Sequence, residues 1–197
     1  MSKKGDAVMK SPSKTQIRTR KNLIEAFMTV YRTKTIDRVS VRDITDAAGY
    51  HRSTFYLYFK DVYDLADAAE DQVLTELNAE IQKILSEEEN IGPDGFLIRL
   101  SSVFAAEHAD RLYLFSELPS FRRKLKRTFE PNFTRVVGRG RSRKEFDYII
   151  SLLTAIMLHN IRYYHQNRDS FTTAEMLDTV RRILLPGIEG YMSAVPS

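Results

Sequence analysis

Apolar residues recur along most of this chain at intervals of three and four positions, the spacing of an α-helix that buries one face. The longest such stripes run over 17–31, 65–84, 146–164 and 176–188. The alternation that is typical of a half-buried strand does not occur, and no internal repeat is visible. The pattern therefore predicts an all-α protein with about nine helices.

Capping residues predict where these helices begin. Ser40 and Asp61 are expected to cap two of them, and Pro186 with Gly187 is expected to kink or end the last one. Three pairs have the spacing of a capping box: Ser13 with Gln16, Ser142 with Glu145, and Thr172 with Glu175. The predicted helices span 14–32, 40–48, 51–59, 61–85, 93–107, 110–117, 119–137, 142–164 and 172–188.

The segment from 40 to 60 differs from the rest because its second helical pattern carries an arginine, hydroxyls and aromatic rings instead of a plain apolar stripe. Gly49 separates the two short patterns and supplies a turn in which a positive φ is easily tolerated. This arrangement is typical of a helix-turn-helix, whose second helix lies in the major groove of DNA with its N-terminal residues toward the bases. His51, Arg52 and Ser53 occupy that leading end, and an arginine can pair with a guanine edge.

The distribution of charge favours a nucleic-acid partner. Residues 1–60 hold 13 Lys and Arg against 5 Asp and Glu, whereas residues 61–197 hold 17 against 21. Positive charge therefore accumulates beside the helix-turn-helix, where phosphate binding requires it. The alternative is a basic tail that only aids solubility, since the polar and basic residues 1–13 are expected to form a disordered arm.

In this segment the chain resembles the tetracycline-repressor-like (TetR) family of bacterial regulators. The matching run is ITDAAGYHRSTFYLYFK at 44–60, followed by YDL at 63–65, and its most specific part is FYxYF at 55–59. The resemblance covers residues 15–70 at the level of motifs, and beyond them only chain length and helical character agree. It implies a DNA-binding domain over 14–62 and a helical effector-binding and dimerisation domain over 63–197.

The resemblance also implies roles for individual residues. Arg52 and Ser53 would read bases, and Arg42 would approach a base edge or a phosphate. The expected DNA contacts are Arg42, His51, Arg52, Ser53, Thr54, Tyr56, Tyr58 and Lys60, of which Thr54, both tyrosines and Lys60 would mainly hold phosphate. Phe55, Phe59 and Gly49 would be structural. Many family members carry a lysine where this chain has Val62, so the resemblance does not extend to that phosphate contact.

An effector cavity is implied among the helices of the C-terminal domain, where aromatic residues are dense. The candidate effector residues are Phe104, His108, Phe115, Phe129 and Tyr148, although an aromatic stripe on a helix can equally form core. The last two helices have broad apolar faces that a single copy would leave overexposed. We therefore expect a homodimer that binds double-stranded DNA at a palindromic operator and that a small-molecule effector releases, most simply a repressor.

A second concentration of positive charge lies at 121–144, which holds ten Lys and Arg against Glu130 alone. It is either the solvated face of a helix with a loop, or a surface for an anionic effector, an acidic protein or further DNA contact. The alternative function is therefore a co-activator or assembly factor that acts mainly through a protein partner on the same fold.

Other classes of function have little support in the sequence. The chain has no Cys, its four His residues lack the spacing of a metal site, and no catalytic set stands out, so we expect no enzyme activity, no cofactor and no metal. An all-α enzyme or ligand carrier remains a third hypothesis. No apolar run reaches 18 residues and none follows Met1, so we expect a cytoplasmic protein without a membrane span.

Overall fold

The computed structural model describes residues 11–87, 91–92, 95–96, 98–100, 108–137, 142–167, 169–170 and 172–193. All regular structure in these residues is helical, which confirms the all-α prediction. The α-helices in the described residues are α1 (Lys14–Tyr31), α2 (Val41–Ala48), α3 (Arg52–Tyr56), α4 (Val62–Glu87), α5 (Ala109–Phe115), α6 (Pro119–Val137), α7 (Arg143–Asn167) and α8 (Thr173–Ser193). Residues 95–96 and 98–100 are also helical, within the predicted helix 93–107, most of which lies outside the described residues.

The predicted helix caps are confirmed, with their hydrogen bonds in place. In the first capping box, Ser13 N donates to Gln16 Oε1 at 2.7 Å and Gln16 N donates to Ser13 Oγ at 3.2 Å. Thr172 and Glu175 form the same pair of bonds before α8. The backbone N–H of Thr172 and then its hydroxyl lower the pKa of the Glu175 carboxyl, because both donate to the ionised form.

Two helix ends differ from the prediction. The recognition helix α3 ends at Tyr56 rather than at residue 59, because the chain must turn before Asp61, whose side chain accepts from Asp64 N at 2.8 Å and caps α4. Helix α8 continues past Pro186 to Ser193, so of the expected kink or end at this proline, the end does not occur. A proline removes one backbone donor, and the neighbouring turns of the helix remain.

The chain divides into two compact units, residues 1–69 and 70–197, within α4. In the described part of the first unit, α1 packs against α2 and α2 against α3. Its core is apolar and includes Leu23, Ile24, Phe27, Ile44, Phe55, Phe59 and Leu65, all nearly inaccessible to solvent. The guanidinium of Arg20 lies 5.3 Å from the centroid of the Phe59 ring and covers one edge of this core.

In the second unit, α7 packs against α5 and α6, and has fewer contacts with α8. Its buried residues come from every helix of the unit and include Leu77, Ile81, Phe96, Leu112, Phe115, Phe121, Leu125 and Leu158. Among the described residues, none of the helices combines the length and low polarity that a membrane span requires.

Candidate nucleic-acid interface and ligand cavity

The turn between α2 and α3 is built by Gly49. This residue ends α2 with φ 68° and ψ 33°, in the left-handed region that side chains disfavour, and Tyr50 N donates to Thr45 O at 3.0 Å across the turn. The space around Gly49 is open, since a Cβ there would meet nothing within 4 Å. Its backbone conformation, and not crowding, therefore selects glycine at this position.

The start of α2 is held by an ion pair as well as by its cap. Asp43 accepts from Ser40 N at 3.0 Å, and its other carboxylate oxygen lies 2.8 Å from Lys34 Nζ. These donors, Lys34 first, lower the pKa of Asp43 to about 2. The connection between Lys34 and the cap fixes the segment before α2 to the helix-turn-helix.

The leading end of α3 is fixed by His51, which the sequence suggested only as a DNA contact. Its Nδ1 accepts from Ser53 N at 3.4 Å and lies 2.9 Å from Ser53 Oγ. The imidazole thus caps the helix through Nδ1, which must be unprotonated to accept this bond. The hydroxyl of Ser53 is engaged with this ring, and its oxygen can still accept a hydrogen bond from a base.

The predicted DNA contacts lie within one short stretch, 42–60, on α2, α3 and the turn that follows. Six are exposed and two are half-buried: Arg42, His51, Arg52, Ser53, Tyr56 and Lys60 are exposed, and Thr54 and Tyr58 are half-buried. Arg42 Nε lies 3.4 Å from Asp46 Oδ2 in a solvent-exposed pair, which leaves the arginine mobile enough to change partner. The predicted inward position of Phe55 and Phe59 is confirmed by their burial.

The two tyrosines of the motif combine a packed ring with an available hydroxyl. Tyr56 is 54% exposed, and its ring meets Phe55 edge-on at 5.4 Å between centroids. Among the described residues, neither the Tyr56 nor the Tyr58 hydroxyl has a hydrogen-bond partner within the protein. Both hydroxyls are therefore able to donate to phosphate oxygens.

Three features of this interface were not predicted from the sequence. Leu57 is 80% exposed beside Tyr56 and offers an apolar surface of the kind that contacts a thymine methyl. Asn22 Nδ2 donates to the Tyr50 hydroxyl at 3.0 Å and ties α1 to the turn. Val62 is buried at the first turn of α4, so the position where the resemblance led us to expect a lysine belongs to the core here. The adjacent Lys60 is exposed.

The second unit contains a cavity of about 80 Å³ between α6, α7 and α8. Of the five predicted effector residues, Phe129 lines it. Phe115 is buried in the core and His108 is half-buried before α5, and neither lines the cavity. Tyr148 is 68% exposed, and Phe104 lies outside the described residues. Asn160 and Tyr164, which do line the cavity, carried no sequence signal beyond their place on a long apolar helix.

A buried carboxylate joins α4 to α6 in the same unit. Glu70 is 3% exposed, and its Oε1 accepts from Ser120 Oγ at 2.8 Å. Lys124 Nζ lies 3.2 Å from Glu70 Oε2, where it compensates charge without the geometry of a hydrogen bond, and 2.8 Å from Asp71 Oδ1. The same helix α6 lines the cavity farther along, through Phe129 and Phe133.

The outer faces of α7 and α8 expose apolar groups. On α7 these are Tyr148, Leu152 and Tyr163, with Ala155 and His159 exposed between them, so all five follow one face of the helix. On α8, Ile183 is 69% exposed. Across the described residues, no group of three His, Asp or Glu side chains is placed to hold a metal ion.

Known proteins resemble the chain in its N-terminal sequence and in its fold. Residues 23–69 match the family described as bacterial regulatory proteins of the tetR family. A putative TetR-family transcriptional regulator from Syntrophomonas wolfei superposes with a TM-score of 0.74 at 16% identity, over 90% of this chain and 98% of that one. No curated protein matches the sequence.

Two further structures of similar fold have more specific descriptions. The regulator FadR from Bacillus subtilis, in complex with stearoyl-CoA, gives a TM-score of 0.69 at 15% identity, over 85% of this chain and 98% of that one. The dihydroxyacetone kinase operon activator DhaS gives a TM-score of 0.59 at 18% identity, over 92% and 99%. At these identities the likeness establishes the fold.

Proposed function

We propose that this chain, whose residues 23–69 match the tetR family of regulatory proteins and whose fold is similar to that of a TetR-family regulator, is a ligand-released repressor that binds a palindromic operator as a homodimer. Regulators of this family are DNA-binding proteins and not enzymes. Residues 14–62 form the proposed DNA-binding domain, and residues 63–197 the proposed effector and dimerisation domain. The observation that carries the proposal is the leading end of α3, where exposed Arg52 and Ser53 follow a capped helix start and a fixed glycine turn.

Within this interface Arg52 is the principal base reader. Its side chain is exposed at the first position of α3, the part of a recognition helix that meets base edges. Ser53 and Arg42 read or approach bases beside it. The phosphate contacts come from Thr54, Tyr56, Tyr58 and Lys60. The positive charge of Lys60 lies two residues before Val62, which is uncharged.

The test is a fluorescence-anisotropy titration of DNA from upstream of the protein's own gene, repeated over a series of salt concentrations. Arg52→Ala is expected to cost about 1–3 kcal/mol of binding free energy and to relax sequence preference. Lys60→Ala is expected to weaken all DNA alike and to reduce the salt slope by about one. Arg32→Ala, which removes an exposed arginine from the end of α1, is the charge-matched control. Equal binding by Arg52→Ala and the wild type contradicts the assignment.

Dimerisation is supported by the apolar stripe on α7 and by exposed Ile183 on α8. A second copy that covers these faces forms a four-helix interface and sets two recognition helices to meet successive major grooves, about 34–36 Å apart. Leu152→Glu places a charge in that interface and is expected to give monomers in sedimentation velocity. Leu57→Glu, at a more exposed leucine of the first unit, is expected to leave the dimer intact. A dimeric Leu152→Glu protein argues against this interface.

The cavity between α6, α7 and α8 is the proposed effector site. Phe129 is the predicted effector residue that lines it, and the similar fold of a protein in complex with stearoyl-CoA supports a ligand in this class of domain. The effector must shift the protein from a state that binds DNA to one that does not. A shift from 99:1 to 1:99 requires the binding free energy of the effector to differ between the two states by about 5.5 kcal/mol. In vitro transcription from the operator distinguishes a repressor from an activator such as DhaS.

A protein partner is the second candidate function, and one observation favours it. Arg122, Arg123 and Arg127 are exposed on α6, and none of them has an ion-pair partner among the described residues, whereas Lys124 and Lys126 are paired. These arginines form a surface that suits an acidic protein. Replacing all three with Glu is expected to abolish co-purification of such a partner and to spare operator binding. Loss of operator binding instead assigns the surface to DNA.

A further inference from the structure

Among the described residues, none that lines the cavity in the second unit carries a charge. Fifteen described residues surround it, and all but Thr154, Asn160 and Tyr164 are fully apolar. Two cations of the helices that form it are paired elsewhere, since Lys126 Nζ lies 2.6 Å from Asp147 Oδ1 and Arg162 pairs with Glu117. The exposed Arg122, Arg123 and Arg127 of α6 do not line the cavity. A carboxylate or phosphate placed inside would therefore be buried without a counter-ion, which is strongly unfavourable.

Two of the three polar side chains are available to a ligand. Thr154 Oγ1 donates to Ile150 O at 2.7 Å, so its proton is already used within α7. Asn160 and Tyr164 are four residues apart and therefore share a face of α7. Both are half-buried, and neither the carboxamide nor the hydroxyl is hydrogen-bonded to another group in the described residues.

The shape of the cavity restricts the ligand further. Its lining on α7 extends from Ile150 to Tyr164, which is about 20 Å along a helix axis. The cavity volume is about 80 Å³. A lining that extends this far along one helix suits an elongated alkyl chain.

We infer that the cavity binds a linear aliphatic molecule with an uncharged, hydrogen-bonding head group, which Asn160 and Tyr164 hold. The carboxamide supplies both a donor and an acceptor, and the phenol supplies a donor, so a hydroxyl, amide or ester is matched and a free carboxylate is not. This inference rests on the proposed effector site and names the class of its ligand.

Calorimetric titration of the full chain with n-decanol and with decanoate, at the same neutral pH, tests the inference. The two probes share a chain and differ in head-group charge. Decanol is expected to bind at least about tenfold more tightly than decanoate, because only decanoate buries a charge. Equal or tighter binding of decanoate overturns the inference, and so does the absence of binding by both probes.

Two variants locate the head group. Tyr164→Phe is expected to weaken decanol binding by about tenfold, because it removes the hydroxyl that holds the head group. Tyr113→Phe is the matched control, since Tyr113 is also a half-buried tyrosine of this unit but stacks on His165 outside the cavity lining. Equal weakening by the two variants, or no weakening by either, contradicts the assigned head-group position. Asn160→Lys supplies the missing cation and is expected to shift preference toward decanoate, and an unchanged preference in the folded variant also counts against the inference.

Operator release is measured separately from binding, so the two proposals fail in different ways. If decanol binds without releasing DNA, the ligand class holds and the proposed ligand-released repressor does not. If decanoate releases the operator and decanol does not, the repressor holds and the inferred ligand class is wrong.

Discussion

The two compact units of this protein place their functional residues in opposite ways. In residues 11–69 the proposed DNA contacts are near neighbours in the sequence, within 42–60, and one cap and one turn present them. In residues 70–193 the cavity collects side chains from Leu100 to Leu184, which depend on the packing of three long helices. Local chemistry therefore defines the first site, and long-range packing defines the second.

The largest expected effect tests whether the first unit depends on its aromatic core. Phe55→Ala removes a fully buried ring and is expected to cost about 3–5 kcal/mol of unfolding free energy in a urea titration. Leu57→Ala, two residues away and 80% exposed, is expected to cost less than about 0.5 kcal/mol. Similar losses in the two variants contradict the division between core and interface within 55–59.

A smaller effect tests the long-range contact in the second unit. Lys124→Met leaves the Glu70 carboxylate buried with Ser120 as its hydrogen-bond donor, and is expected to cost about 1–3 kcal/mol, since Lys124 is itself partly exposed. The double variant with Glu70→Gln no longer buries a charge and is expected to recover part of that loss in the same denaturation experiment. A single variant as stable as the wild type shows that this contact does not stabilise the unit.

The glycine turn gives a third comparison. Gly49→Ala is expected to cost about 1–2 kcal/mol because an alanine is strained at φ 68° although the site is open. Gly187→Ala is equally free of contacts but lies within α8, where alanine is expected to stabilise by up to about 1 kcal/mol. Thermal unfolding monitored by circular dichroism measures both. Changes in melting temperature of the same sign in the two variants refute the conformational explanation for Gly49.

The smallest expected effect concerns pH. The pKa of Asp43 is about 2 in the folded protein against 3.8 without its donors, so its stabilisation is complete above about pH 4 and is lost as the pH falls through 2. Melting temperatures between pH 5 and pH 2 are expected to fall more steeply for the wild type than for Asp43→Asn. Asp37→Asn, which removes an exposed carboxylate from the connector, is expected to follow the wild type.

The sequence predicted the features that depend on neighbouring residues. The capping boxes, Gly49 and the inward positions of Phe55 and Phe59 follow from spacing alone, and the structure confirms them. The cavity could not be predicted in the same way, because Asn160 resembles any polar residue of a helix until its neighbours on α6 and α8 are known. The exposure of Leu57 was not predicted, because α3 ends at Tyr56 and the pattern had indicated a helix to residue 59.

Helix α4 has a mechanical consequence. It runs for 26 residues without a glycine or a proline, begins in the first unit and ends in the second, so it is a stiff rod of about 39 Å. Within the second unit, Glu70 joins this helix to α6 through Ser120, so a rearrangement of α6 would be transmitted to α4 at that residue.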